Sequence, residues 1–178
     1  MTVRLILTYA GLLVLAVAAL VWGWTLLPIT LFYQEGRPTR VGKIANRTMG
    51  RWASLGIPAF SMVTLEVPGR KSGRINSTVL VLTHHRADDY LVSMLGEAVD
   101  WVRNVRAAGG RAAIRHGRKQ AVELEEVNVE ERAPILKAYL KAAPGGRPHF
   151  PIGPDAPVEA FEPLAAGYPV FRVVKVKE

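Results

Sequence analysis

The chain has 178 residues, no cysteine, a formal net charge of +8 and a pI near 10.1. Without cysteine, disulfides, thiolate metal sites and cysteine nucleophiles are all excluded. So basic a balance points to an anionic partner: a membrane surface, a nucleic acid, or a phosphorylated or carboxylated small molecule.

From Leu5 to Tyr33 there is no Asp, Glu, Lys, Arg or His. As a helix at ~1.5 Å per residue, Leu5 to Leu27 spans roughly 34 Å, enough for a ~30 Å hydrocarbon layer. Pro28 marks its end, and Trp22, Trp24 and Tyr33 sit where interfacial aromatics belong. A cleaved signal peptide is the rival reading, with Arg4 as its charged region and Ala16, Ala18 and Ala19 imitating a cleavage site. The apolar run continues past those alanines, which favours an uncleaved anchor. Arg37, Arg40, Lys43, Arg47 and Arg51 follow the segment, whereas only Arg4 precedes it. The positive-inside bias therefore predicts a single-pass protein of the cell membrane, its globular domain on the cytoplasmic side. The same cations suit anionic headgroups.

Residues 1–33 are thus read as a membrane anchor helix, 34–58 as a basic juxtamembrane helix and linker, and 59–178 as one globular domain. Within the linker region, Arg37 to Leu55 reads as a short amphipathic helix, ended by Gly56 and Pro58. Strands are expected at Ser61–Val67 and Ser77–Thr83, then at Tyr90–Met94 after a turn at Asp88-Asp89. Ala98–Ala108 reads as a helix burying Trp101, Val102 and Val105, with Asp100, Arg103 and Arg106 outside and Gly109-Gly110 ending it. Ala112–His116 and Gln120–Val127 form a hairpin around Gly117-Arg118. Asn128 and Glu131 resemble a capping box before a helix that buries Ile135, Leu136, Tyr139 and Leu140. Pro144 to Pro163 reads as a loop or lid, and Val170–Val176 as a closing strand. About six mostly sequential strands with short helices suit a small antiparallel barrel with helices packed on it.

Two stretches could carry chemistry. In Gly69-Arg70-Lys71-Ser72-Gly73-Arg74, two glycines let backbone amides approach a ligand, Ser72 adds a hydroxyl, and Arg70, Lys71 and Arg74 add charge. Such a turn cradles a phosphate or carboxylate; the other reading is an ordinary basic hairpin turn. It is not a Walker loop, because the spacing differs and a strand follows. In Ser93-Met94-Leu95-Gly96, leading into Trp101 and Asn104, a strand end opens into a helix whose free amides could meet an anionic or carbonyl group. Trp101 offers a flat face and Asn104 a donor for a ring carbonyl; the alternatives are a core tryptophan and a solvated asparagine. The histidines have no metal-binding spacing, so no metal is assigned. No side chain is assigned as an acid, base or nucleophile. His149 and Phe150 lie in the lid and are candidate substrate contacts, as are Tyr139 and Tyr168, residue types more often found in cores.

The two stretches occur together and in order. Gly-Arg-Lys-Ser-Gly-Arg, a strand, Ser-x-x-Gly, then Trp-x-x-Asn-x-x-Ala resembles the deazaflavin-dependent nitroreductase family, a branch of the flavin/deazaflavin oxidoreductases, over about Val63 to Val174. The resemblance implies a split antiparallel β-barrel, here preceded by one transmembrane helix. It implies that Arg70, Lys71 and Ser72 hold the phosphate end of coenzyme F420, that Thr78 and Val79 line the deazaflavin, that the backbone of Ser93, Met94, Leu95 and Gly96 meets the ring edge, and that Trp101 and Asn104 close the site. Gly73 and Arg74 complete the basic turn. The expected activity is an F420-dependent reductase passing hydride to a lipophilic acceptor such as a quinone or nitroaromatic. An FMN enzyme of the same barrel and a non-catalytic module for an anionic ligand at the membrane are the alternatives. The expected partners are the lipid bilayer and the acceptor; a homodimer is compatible with this reading. Nucleic acid ranks last, because the aromatics do not alternate with the cations as stacking platforms would.

Overall fold

The computed structural model describes residues 33–34, 37–39 and 61–176. The predicted anchor, Tyr33 apart, and most of the predicted juxtamembrane helix lie outside these residues. Where they overlap, the structure differs: β1 (Tyr33–Gln34) and β2 (Arg37–Pro38) form a short antiparallel pair instead of helix ends. Pro38 pushes Arg37 out of the helical region, which accounts for the extended backbone there. Among the described residues, no helix is long and apolar enough to cross a membrane.

Six strands close an antiparallel barrel: β3 (Met62–Pro68), β4 (Ile75–His85), β5 (Asp88–Val92), β6 (Arg111–His116), β7 (Arg118–Glu126) and β8 (Val170–Lys175). Their spatial order is β3-β4-β5-β8-β7-β6, with β6 returning to β3. They form where aliphatic residues alternate with polar ones. In β3, Val63, Leu65 and Val67 face inward and none is more than 1% exposed. The predicted strands are present with shifted ends. Asp88-Asp89, expected as a turn, instead opens β5; His85 pairs with Asp88, so the reversal falls on Arg86-Ala87 with Arg86 at φ 55°. A two-residue hairpin favours that positive φ because its twist matches the strands.

The apolar side chains form two clusters. One fills the barrel and is plugged by Trp101, Val102 and Val105 of α1 (Asp100–Ala107). The other lies between the barrel's outer surface and α2 (Arg132–Ala142), where Tyr90, Val92 and Val170 meet Leu136, Tyr139 and Leu140. The capping box does not form: Val129–Glu131 is a 3-10 turn and no side chain caps it or α2. The stretch expected as a lid is largely 3-10 helix, Pro144–His149 and Val158–Gly167, and contributes Phe150 and Phe161 to the outer cluster. Prolines remove donors that a longer α-helix would need, so short 3-10 pieces result.

Strand register gives the barrel two ends. Pro68 pairs with Ile75, Val92 with Val170, and Glu126 with Phe171. The β3–β4 turn, the loop after β5 and the end of β7 therefore share one end. The start of β6 lies there too, and α1 crosses that end to reach it. The other end gathers Met62, the β4–β5 turn, the β6–β7 turn at Gly117, and Lys175.

Candidate functional site

The basic turn is tightly built. The Gly69 amide donates to the Arg74 carbonyl and the Gly73 amide to the Gly69 carbonyl, each at 2.8 Å. A Cβ on Gly69 would stand 2.5 Å from Asn76 Nδ2 and 3.2 Å from the Arg74 carbonyl oxygen, so only glycine fits without movement. Arg74 N–H donates to Ser72 Oγ at 3.4 Å. The backbone amides of Lys71 and Ser72, and the side chains of Lys71 and Arg74, have no partner among the described residues. All are exposed. Two adjacent free amides, a hydroxyl and two free cations make an exposed turn suited to an anion.

Arg70 has a different position. Its backbone N–H and its Nη1 both donate to Asn104 Oδ1, at 3.2 and 3.0 Å, and its Nη2 donates to Asp100 Oδ1 at 3.0 Å. The turn is thereby clamped to α1. Asn104 is 3% exposed, which rules out the alternative of a solvated surface residue, and its side-chain oxygen is committed to Arg70. Trp101 is 7% exposed and meets Phe171 edge-on, with ring centroids 5.5 Å apart. It is a core residue and offers little of its face to a ligand.

The second predicted stretch stands at the same end of the barrel. Ser93 Oγ donates to the Gly96 carbonyl at 2.6 Å, and the Gly96 amide returns to the Ser93 carbonyl at 3.2 Å. The amides of Met94 and Leu95 have no partner among the described residues. Met94 packs on the outer cluster and Leu95 on the barrel core, so this loop is wedged between the two. A Cβ on Gly96 would stand 3.2 Å from the Gly167 carbonyl, which places the last 3-10 segment directly against it. Thr78 and Val79 follow the basic turn along β4, half-buried, but as neighbours on a strand they face opposite sides. Thr78 shares the side of Leu80 and Leu82, which meet the barrel core; Val79 shares that of Val81, which meets the outer cluster.

The four predicted substrate contacts come together, in the outer layer. Phe150 stacks on Tyr168 with centroids 4.1 Å apart and lies 6.0 Å from Tyr139. Tyr168 OH donates to the His149 carbonyl at 2.6 Å. Tyr139 is 4% exposed and Phe150 8%, so both are core residues in this structure. Burial pushes the Tyr139 and Tyr168 hydroxyls above their ordinary pKa and the His149 imidazole below its own. His149 Nε2 is buried with no partner among the described residues.

Sequence reasoning missed a charge network that ties these parts together. Arg106 of α1 grips Glu126 through Nε and Nη2 at 2.8 and 2.7 Å and reaches Glu97 at 3.3 Å. Arg132, 5% exposed, donates to the same Glu126 oxygen at 3.1 Å. Arg132 also donates to the carbonyls of Val127 and Ala165, at 2.9 and 3.3 Å. The Arg106 hydrogen bonds hold the Glu126 carboxyl below the usual carboxylate range, although burial opposes the shift. No periodicity marks such residues; only their spatial partners do. Among the described residues, no cluster of ligand-type side chains could hold a metal ion.

The fold is the split antiparallel barrel that the sequence resemblance implied. No family model matches the chain, and no curated protein matches it. Solved structures with a similar fold include a protein of unknown function from Agrobacterium tumefaciens, at 10% identity and a TM-score of 0.50, covering 80% of this chain and 59% of that one. An F420-H2 dependent reductase is similar at 21% identity and a TM-score of 0.42, covering 64% of this chain and 93% of that one. An FAD-binding protein from Mesorhizobium loti is similar at 17% identity and a TM-score of 0.43, covering 73% of this chain and 89% of that one. Identities this low speak to fold alone.

Proposed function

We propose that the chain is a membrane-anchored oxidoreductase that holds a phosphate-bearing ring cofactor, a deazaflavin of the F420 kind or FMN, at the turn end of its barrel. One observation carries this reading: the clamped basic turn and the Ser93–Gly96 loop, far apart in sequence, stand at the same barrel end, and each has two adjacent amides without partners among the described residues. The residues fit such a cofactor. Lys71, Arg74, the Ser72 hydroxyl and the amides of Lys71 and Ser72 would hold its anionic end; the amides of Met94 and Leu95 would donate to oxygens on its ring. Arg70 and Asn104 would act through the turn, by fixing its shape.

When bound in reduced form, such a cofactor supplies the hydride. The chain's own task is then to bind, orient and exclude water, so the lack of an acid–base constellation in the site is consistent with the reading. The charge-free run Leu5–Tyr33 supports an anchor and a lipophilic acceptor such as a quinone or nitroaromatic.

The test is a fluorescence titration of the full chain in detergent with F420 and, separately, with FMN. One of them should bind. Lys71→Ala and Arg74→Ala should each weaken that binding by about tenfold or more, since a charged hydrogen bond contributes ~1.5–3 kcal/mol. Acceptor-dependent oxidation of the bound, reduced cofactor should follow. If neither cofactor binds, or both alanine variants keep wild-type affinity, the reading fails.

A further inference from the structure

The barrel end away from the site gathers cations that the proposed cofactor site does not use. Arg86 lies in the β4–β5 turn, Arg118 opens β7, and Lys175 closes β8. All are exposed, and none of these side chains has an ion pair or hydrogen bond among the described residues. Val176 follows at 50% exposure. The carboxylates nearby are mostly engaged: Asp89 with His84, and Glu66 with Arg115 and Lys119 at 2.9 and 2.7 Å. Asp88 accepts from the Tyr90 hydroxyl at 3.5 Å, and it and the exposed Glu123, next to Val122 across from Lys175, are left without a cation; Arg86, Arg118 and Lys175 outnumber them. The surface is therefore net positive, with an apolar residue at its margin.

The chain's path names the partner. β3 begins at Met62, on this end. The residues before it include the charge-free run Leu5–Tyr33 and then Arg37, Arg40, Lys43, Arg47 and Arg51. The barrel thus joins a bilayer-suited segment through its basic end, not through the end that bears the cofactor turn.

We propose that this end docks on an anionic lipid surface, with Arg86, Arg118 and Lys175 on headgroup phosphates and Val176 in the interfacial layer. Cations held near an anionic leaflet are attracted to it, and the attraction is screened by salt. The basic turn then faces the aqueous phase, where a charged cofactor exchanges. β4 runs from that turn down to the lipid, so the two ends of the barrel are joined by one strand. The docking rests on the anchor reading for its location and is independent of the cofactor reading.

The chain has no cysteine, so single labels are clean. The full chain, as Ala87→Cys in the β4–β5 turn or Ala107→Cys on α1, is labelled with an environment-sensitive fluorophore and placed in phosphatidylcholine vesicles with or without phosphatidylglycerol. Headgroup spin-labelled lipid is the quencher. Quenching at position 87 should rise at least about threefold when phosphatidylglycerol is present, and should fall again at high salt. The label at 107 should stay unquenched. Arg86→Glu, Arg118→Glu and Lys175→Glu together should abolish the rise without moving the melting midpoint. If that triple variant does not fold, the salt response decides alone. Equal quenching at both positions, or quenching at 87 that ignores both phosphatidylglycerol and salt, overturns the proposal. Alkaline carbonate separates the two readings: extraction of the chain removes the anchor, while lipid-dependent quenching at 87 still supports the docking.

Discussion

Replacing Asn104 by Leu isolates the clamp that shapes the basic turn. Two hydrogen bonds end on Asn104 Oδ1, from the Arg70 amide at 3.2 Å and its guanidinium at 3.0 Å. A neutral bond contributes ~1 kcal/mol and a charged one ~1.5–3 kcal/mol. The Arg70 side chain is 25% exposed, so water restores part of what is lost. The net is about 2 kcal/mol, or roughly thirtyfold in an equilibrium constant at ~1.4 kcal/mol per tenfold. If the clamp selects the turn conformation that binds the anion, this appears as weaker binding, because only the clamped fraction is competent. Titration calorimetry with inorganic pyrophosphate and with the cofactor measures it. Asn104→Asp keeps an oxygen in place and adds an attraction for Arg70, so it should recover most of the affinity. Asn104→Leu binding within about twofold of wild type would refute the reasoning.

Gly69→Ala forces a Cβ to 2.5 Å from Asn76 Nδ2 and 3.2 Å from the Arg74 carbonyl; it should destabilise by about 1–3 kcal/mol in urea denaturation and weaken anion binding too. Tyr168→Phe removes the 2.6 Å bond to the His149 carbonyl but keeps the stack on Phe150; about 1 kcal/mol is expected, read as a drop of about 2–4 °C in melting midpoint. Glu126 has its folded pKa held below the ordinary value of 4.5, so its contribution is present above that value and is lost as pH falls through the folded pKa. Glu126→Gln should therefore lower the midpoint at neutral pH and flatten its decline on acidification; an unchanged acid profile would contradict the network.

What was legible in the sequence is what alternation and local chemistry encode. β3 is readable because aliphatic residues recur at every second position, β4 because it is rich in β-branched residues and leucine, and α1 because Trp101, Val102 and Val105 share one helical face. What was not legible depends on partners distant in sequence. Asn104 reads as a donor to a ring carbonyl because nothing near it in the chain shows that Arg70, 34 residues earlier, occupies its side-chain oxygen. Nothing in the sequence singles out Arg132, yet the carbonyls of Val127 and Ala165 and the Glu126 carboxylate meet at its guanidinium. The Arg86 turn was misplaced because a positive φ at arginine has no signature in residue type, whereas Asp88-Asp89 carries a misleading one. Asn128 and Glu131 had capping-box spacing, but a 3-10 turn stands where the box needed the first α-helical turn.

The candidate site is held by one carboxylate more than by its own residues. Arg106 lies two positions beyond Asn104 on α1, and Glu126 grips it in two-point contact. The same carboxylate accepts from Arg132, whose remaining bonds fasten the segment that presses Gly167 against Gly96. The basic turn hangs on Asn104, and the Ser93–Gly96 loop rests on Gly167. Both walls of the site therefore refer back to the end of β7, although neither Glu126 nor Arg132 belongs to either wall. Arg132 is the buried member of this tie, its side chain 6% exposed, so leaving it without Glu126 would be destabilising. The exposed basic turn and the half-buried Ser93–Gly96 loop are thereby tied to one another through the end of β7.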